Sequence, residues 1–123
     1  MWCAEKYWAR TSPLLFPVVG SLKNKAYKLD GKVYPMSQHG FARDNEFELV
    51  TCDDIRATYI FKENKETLKK YPFKFNLIIK YTLINNEIRI DWIIENKNDR
   101  IMSFSIGAHP AFNLKEGGQL FCI

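Results

Sequence analysis

The strongest constraint on the fold is an alternation of period two that starts at Phe73 and continues, past one turn, to Glu95. Phe73, Phe75, Leu77, Ile79, Tyr81 and Leu83 fall on one side of an extended chain, with Lys74, Asn76, Lys80 and Thr82 on the other. Successive side chains of a strand point to opposite faces, so the pattern fits a half-buried sheet and misfits a helix. Asn85-Asn86 supplies the turn, because asparagine tolerates left-handed backbone. Beyond it, Ile88, Ile90, Trp92 and Ile94 alternate with Arg89, Asp91 and Glu95. Residues 73–83 and 87–95 are therefore expected to pair as an antiparallel hairpin, with Phe75, Leu77, Ile79, Ile90 and Trp92 in the core.

The rest of the chain reads the same way. Asp30-Gly31, between Ala26-Tyr27-Lys28-Leu29 and Lys32-Val33-Tyr34, is a two-residue hairpin signal, since both turn positions need positive φ. Residues 46–52 and 55–61 read as strands joined at Asp53-Asp54, and 101–106 as a further strand. Residues 63–71 are charged and fit one helical turn or an irregular edge. Pro13 and Pro17 forbid a helix or a central strand across 11–20, leaving an extended, buried segment that closes a sheet end or walls a pocket. Residues 2–10 have no clear period. With no helix long enough to cover a sheet, the fold class expected is all-β and antiparallel.

Length and composition narrow the class further. A chain of 123 residues suits one domain, not two. An apolar fraction of 46% with nine Phe, six Tyr and three Trp excludes a disordered chain. The net charge of +4 raises the question of nucleic acid. However, Glu63 and Glu66 interrupt the lysines of 62–80, and no groove-reading or RNA-binding motif is present. Lysines guarding a strand edge account for the excess. Cys3, Cys52 and Cys122 form no Cys-x-x-Cys pair, so reduced thiols and a cytoplasmic setting are expected. No leader pattern opens the sequence, and the apolar run from Leu14 to Val19 is too short to span a bilayer.

Two stretches depart from scaffold chemistry. Gln38-His39-Gly40-Phe41-Ala42-Arg43-Asp44 and Gly107-Ala108-His109-Pro110-Ala111-Phe112-Asn113 contain both histidines of the chain. Each histidine is either a proton-transfer group or a hydrogen-bonded structural residue at a strand end. Pro110 biases the backbone of His109 towards an extended form and stiffens its loop. Arg43 can offer its planar fork to vicinal hydroxyls, a phosphate or a carboxylate, or else pair with Asp44, Glu46 or Glu48. Phe41, Phe112 and Trp92 can stack on a sugar ring or pack in a core. His39, His109 and Asp44 would make a metal set, but no ligand spacing supports it, and no metal is expected. With no phosphate loop or nucleophile motif, the chemistry on offer is proton transfer without a cofactor.

These two motifs, in this order, resemble the aldose 1-epimerase (galactose mutarotase-like) family, most closely its bacterial LacX-like branch. Pro13-Leu14-Leu15-Phe16-Pro17-Val18-Val19-Gly20, Tyr71-Pro72-Phe73 and Phe104-Ser105-Ile106-Gly107 match as well, and the resemblance runs from about Tyr7 to Asn113. It implies a large antiparallel β-sandwich, the galactose mutarotase-like supersandwich, that interconverts the α and β anomers of a free aldose. A base would take the anomeric hydroxyl proton while an acid protonates the ring oxygen, with no metal or cofactor. His109 is similar to the family's catalytic acid, His39 to its substrate-positioning histidine, and Arg43 to a sugar-contacting arginine. The sequence departs from the pattern at Ser21, where many relatives carry a basic residue.

The family domain is more than twice this length, and its catalytic glutamate and a sugar-binding aspartate lie in a C-terminal portion without counterpart here. Residues 1–123 are thus expected to be a single partial domain, a central fragment. Its expected partner is a small-molecule aldose, not nucleic acid or a membrane, with self-association through exposed strand edges. Two alternative functions stand beside the enzyme. One is a carbohydrate-binding β-module without turnover, or inactive fragment, and the other a basic β-domain that binds nucleic acid.

Overall fold

The computed structural model describes Lys6 and residues 10–112. Cys3, Cys122, Asn113 and most of residues 2–10 lie outside the described residues. Those described form an all-β, almost wholly antiparallel structure. Its main part is a four-stranded sheet ordered β4-β5-β6-β7, from Glu48–Cys52, Arg56–Lys62, Phe75–Ile84 and Glu87–Asn96. Two small pairs flank it: β2 (Ala26–Leu29) with β3 (Lys32–Pro35), and β1 (Leu14–Leu15) with β8 (Gly107–Ala108). The one α-helix among the described residues, α1 (Lys65–Lys70), is a short link between β5 and β6. Asn64 caps it, accepting from the amides of Glu66 and Thr67 at 2.9 Å each. No helix among the described residues is long and apolar enough to cross a membrane.

The turns are as their residues require. Asp30 (φ 49°) and Gly31 (φ 79°) close the β2–β3 hairpin with Leu29 opposite Lys32. Asn85 (φ 54°) turns the long hairpin, which runs in unbroken register from Phe75 opposite Asn96 to Ile84 opposite Glu87. At Asp53, the side chain caps its own turn by accepting from the amide of Ile55 at 3.0 Å.

The core lies at one end of this sheet. Phe75 and Leu77 are fully enclosed, joined by Phe61 and Phe73 and, from the loops, by Phe16, Met36, Phe41, Ala42, Tyr71 and Met102. Phe16 is its hub: its ring meets Phe75 at 5.1 Å, Tyr71 at 6.2 Å and Phe41 at 6.4 Å. Tyr71 ends α1 and ties the core to a distant loop, its hydroxyl donating to the Ser103 carbonyl at 2.8 Å.

Two expectations need correction. Phe75, Leu77 and Ile79 are buried, but Ile90 and Trp92 are 48% and 37% exposed. They face the same side as the core residues, opposite Tyr81 and Ile79. The loops cover that side only at the Phe75 end, and nothing among the described residues overlies the rest. Residues 101–106 also form no strand. Their polar groups bond singly instead, the Ser105 amide donating to the Pro17 carbonyl at 2.9 Å and the Ser105 hydroxyl accepting from the Val19 amide at 2.8 Å. The run belongs to no ladder, with Met102 buried in the core and Ile101 exposed.

Candidate active site

The two histidine loops are brought together by the segment between the prolines. On one side, β1 pairs with β8, setting Leu14 opposite Ala108, and the next amide, of His109, donates to the Pro13 carbonyl at 3.1 Å. On the other side, Phe16 bridges to Gly40, and its carbonyl accepts from the amides of Phe41 (3.0 Å) and Ala42 (3.1 Å). A segment flanked by two prolines suits this post, because it joins only a two-residue ladder and keeps carbonyls free for loops. The chain at Gly40 passes so close that a Cβ there would lie 2.2 Å from the Phe16 oxygen. Glycine is required by that approach and by a φ of 72°.

Pro13, Leu15, Gln38, His39, Arg43 and His109 line a cavity of about 220 Å³. His39 and His109, separated by seventy positions in the chain, thus face one space. His39 sits at φ 64°, an unusual state for a residue with a side chain. It is pinned twice to Gly20: its amide donates to the Gly20 carbonyl at 2.7 Å, and its Nδ1 accepts from the Gly20 amide at 3.0 Å. His109 is exposed at the mouth.

Arg43 enters the cavity from a short 3₁₀ turn, Ala42–Asp44. One terminal nitrogen donates to the Gln38 carbonyl at 2.7 Å. Its Nε is buried and has no hydrogen-bond partner. The neighbouring Asp44 does not fill that role, lying 3.9 Å from Nε while its other oxygen meets Arg10 Nη2 at 2.5 Å. The ion-pair alternative for Arg43 is therefore a loose contact, and Asp44 belongs chiefly to Arg10. Arg10 carried no signal in the sequence, since nothing in its aromatic and charged surroundings marks it as a partner of Asp44.

The aromatic candidates fall elsewhere. Phe41 is corrected outright: 3% exposed, it packs against Phe16, Phe61 and Tyr71. Its amide is anchored on the Phe16 carbonyl, which commits its ring to the core beneath the cavity. Phe112 is 56% exposed and outside the cavity lining, and Trp92 stands on β7. Among the described residues no group of three or more His, Cys, Asp or Glu side chains could hold a metal.

Larger depressions lie away from the histidines, and two of them bear on the choice of site. One, about 340 Å³, is mostly apolar and lies between Val18, Leu22, Tyr27 and Phe104. The other, about 580 Å³, is the open polar side of the sheet around Arg56, Lys80 and Arg89. Size favours them, yet neither is lined by a histidine, so the histidine cavity is the better candidate for proton-transfer chemistry.

Comparison with known proteins bears on the fold and the family. The family model for aldose 1-epimerase matches residues 1–120. The chromosomal and plasmid LacX proteins of Lactococcus lactis subsp. lactis are each 36% identical over 120 residues, covering 92% of this chain and 40% of theirs. The structure of a galactose mutarotase related enzyme from Lactobacillus acidophilus superimposes with a TM-score of 0.90 at 43% identity, over 98% of this chain and 41% of its own. A galactose mutarotase-like protein from Lactobacillus casei ATCC 334 gives 0.87 at 40%, over 93% and 39%. The fold is thus sandwich-like, and the chain spans about two fifths of the length of the curated relatives it matches. A match over almost every residue, carried by sequence and by backbone alike, means that the chain belongs to the aldose 1-epimerase family.

Proposed function

We propose that this chain carries the acid and sugar-positioning side of an aldose 1-epimerase site, acting on a free aldose. The observation behind the reading is that His39, His109 and Arg43 line one small cavity. Anomer exchange needs a proton removed from the anomeric hydroxyl and another delivered to the ring oxygen. As the O–H proton leaves, C1=O forms, the C1–ring oxygen bond breaks, and its electron pair takes a proton from the acid. Rotation about C1–C2 and the reverse steps give the other anomer. His109, exposed at the mouth, is the acid in this scheme, and His39 and Arg43 hold sugar oxygens. Arg43 Nε has a hydrogen-bond donor to spare for such an oxygen.

No carboxylate lines the cavity among the described residues, and Asp44 is engaged by Arg10. A positioned acid or base is worth about 10²–10⁴-fold each. The chain alone is therefore expected to bind aldose but turn it over poorly. Polarimetry of freshly dissolved α-galactose or α-glucose checks this. A chimera with residues 1–120 in place of the matching stretch of a full-length relative should accelerate equilibration, and His109→Ala should remove most of that rate. Enzyme-like rates from the chain alone would mean that a carboxylate within it serves as base. The missing carboxylate also favours a second reading, a carbohydrate-binding module without turnover. Saturation-transfer NMR with galactose, together with an inactive chimera, would establish that one instead.

A further inference from the structure

We infer that the backbone of Gly20 holds His39 in a single tautomer, with its proton on Nε2, so that His39 meets its ligand as a hydrogen-bond donor and not as a base. The argument starts from a group with no choice. A backbone N–H can only donate, and the Gly20 amide points at His39 Nδ1 from 3.0 Å in a part-buried setting. Nδ1 must then be the bare, accepting nitrogen, because a proton there would face the amide hydrogen. In a neutral imidazole the one remaining proton lies on Nε2. Rotating the ring by half a turn gives no escape, since a C–H would then face the amide and leave it unpaired.

The main chain keeps the ring in place. The His39 amide donates to the Gly20 carbonyl at 2.7 Å, so the two residues exchange two hydrogen bonds across the cavity wall. Both take left-handed backbone, φ 85° at Gly20 and 64° at His39. What glycine contributes at position 20 is that conformation, not room, because a Cβ there would meet nothing within 4 Å. Gly20 is thus a positioning residue acting through His39. It does not line the cavity itself, and a glycine has no side chain to mark it as a site residue.

A ligand oxygen facing His39 therefore receives a hydrogen bond. His39 cannot take a hydroxyl proton, because Nε2 already carries one and Nδ1 is occupied. Any base in the site must be another group. That the ligand is an aldose rests on the function proposed above; the tautomer does not.

The test is long-range ¹H–¹⁵N NMR of the chain labelled at histidine, above the pH at which imidazole titrates. With two histidines in the sequence, His109→Gln assigns the signals. His39 should show an unprotonated Nδ1 and a protonated Nε2, with at least about a tenfold preference for that form. A protonated Nδ1, or an even mixture of tautomers, overturns the inference. A binding arm uses galactose: His39→Gln, which keeps an N–H near the Nε2 position, should stay within about tenfold of the parent affinity, and His39→Glu, acceptor only, should lose binding. Equal affinity for both variants would also overturn it. If no galactose binds to any form while the Nε2–H signature is present, the aldose reading fails and the tautomer stands.

Discussion

At the residue scale, the site rests on main-chain carbonyls as much as on side chains. The Phe16 oxygen takes two amides from the loop that presents Arg43, and Gly40 is the residue that lets that loop approach. Gly40→Ala should cost roughly 2–4 kcal/mol, combining a strained positive φ with an overlap that the buried Phe16 backbone cannot relieve. Urea denaturation checks the value, and a change under about 0.5 kcal/mol would show that the two segments can part freely. Arg10 acts at one remove. By holding Asp44, it leaves the Arg43 guanidinium without a close counter-charge. Arg10→Ala should let Asp44 swing to Arg43 and weaken galactose binding about two- to tenfold, although Arg10 does not line the cavity. Asp44→Asn in the same background should restore affinity, because the competing charge is gone. Titration calorimetry distinguishes this from simple loss of structure, which Asp44→Asn would not rescue.

At the element scale, the small β2–β3 hairpin is tied to α1 by Tyr27, whose hydroxyl donates to the Lys70 carbonyl at 2.9 Å. Burial, reinforced by the neighbouring Tyr34, pushes the Tyr27 phenol up from 10.0 to about 12. Tyr71, donating to the Ser103 carbonyl, is raised still further by burial. For such groups the unfolded chain ionises first as pH rises, so unfolding releases protons. Their stabilisation is complete below the unfolded value near 10 and declines as pH climbs through the folded value. The urea midpoint should thus fall steadily above pH 10, and Tyr27→Phe should flatten the first part of that fall; a flat alkaline profile would contradict it. The elements themselves were largely legible, for definite reasons. Asp30-Gly31 and Asn85-Asn86 fixed both hairpins through φ, and period two fixed the faces of β6 and β7. What was hidden was whatever depends on a neighbour distant in the chain. Pattern says which face Ile90 and Trp92 share, but not how far the cover over it extends. In the site, the sequence marked both histidines and Arg43 by residue type. It could not tell that the Phe41 ring turns inward, nor that Gly20 and Arg10 hold their partners in place. Those roles come from backbone directions and pairings that local spacing does not encode.

At the scale of the whole molecule, the core and the uncovered face are two halves of one apolar surface. Leu83, Ile88, Ile90 and Trp92 continue the side that buries Phe75 and Leu77, and each is more than a third exposed. Among the described residues the sheet also ends on two edges, β4 and β7, which no further strand pairs. Apolar faces and open edges both recruit other chains. We propose that the chain on its own self-associates through this face and the β7 edge. Magnitudes set how strongly. Finishing the burial of each half-exposed side chain is worth about 1 kcal/mol, so two copies face to face gain several kcal/mol. Association costs an estimated 4–15 kcal/mol in lost freedom, so the apolar term alone leaves the balance near zero. Edge pairing must supply the rest, which predicts weak association in about the micromolar-to-millimolar range. Light scattering should show mass rising with concentration above the monomer's 14.5 kDa. Ile90→Lys puts a charge on an already exposed position and should return the chain to monomer with little loss of stability. Placing Lys at position 60 instead tests register, because Ile60 pairs with Ile78 on the opposite side of the sheet from Ile90. That change should leave association intact. A chain that stays monomeric at every concentration, or one that Ile90→Lys does not disperse, would refute this mode of contact.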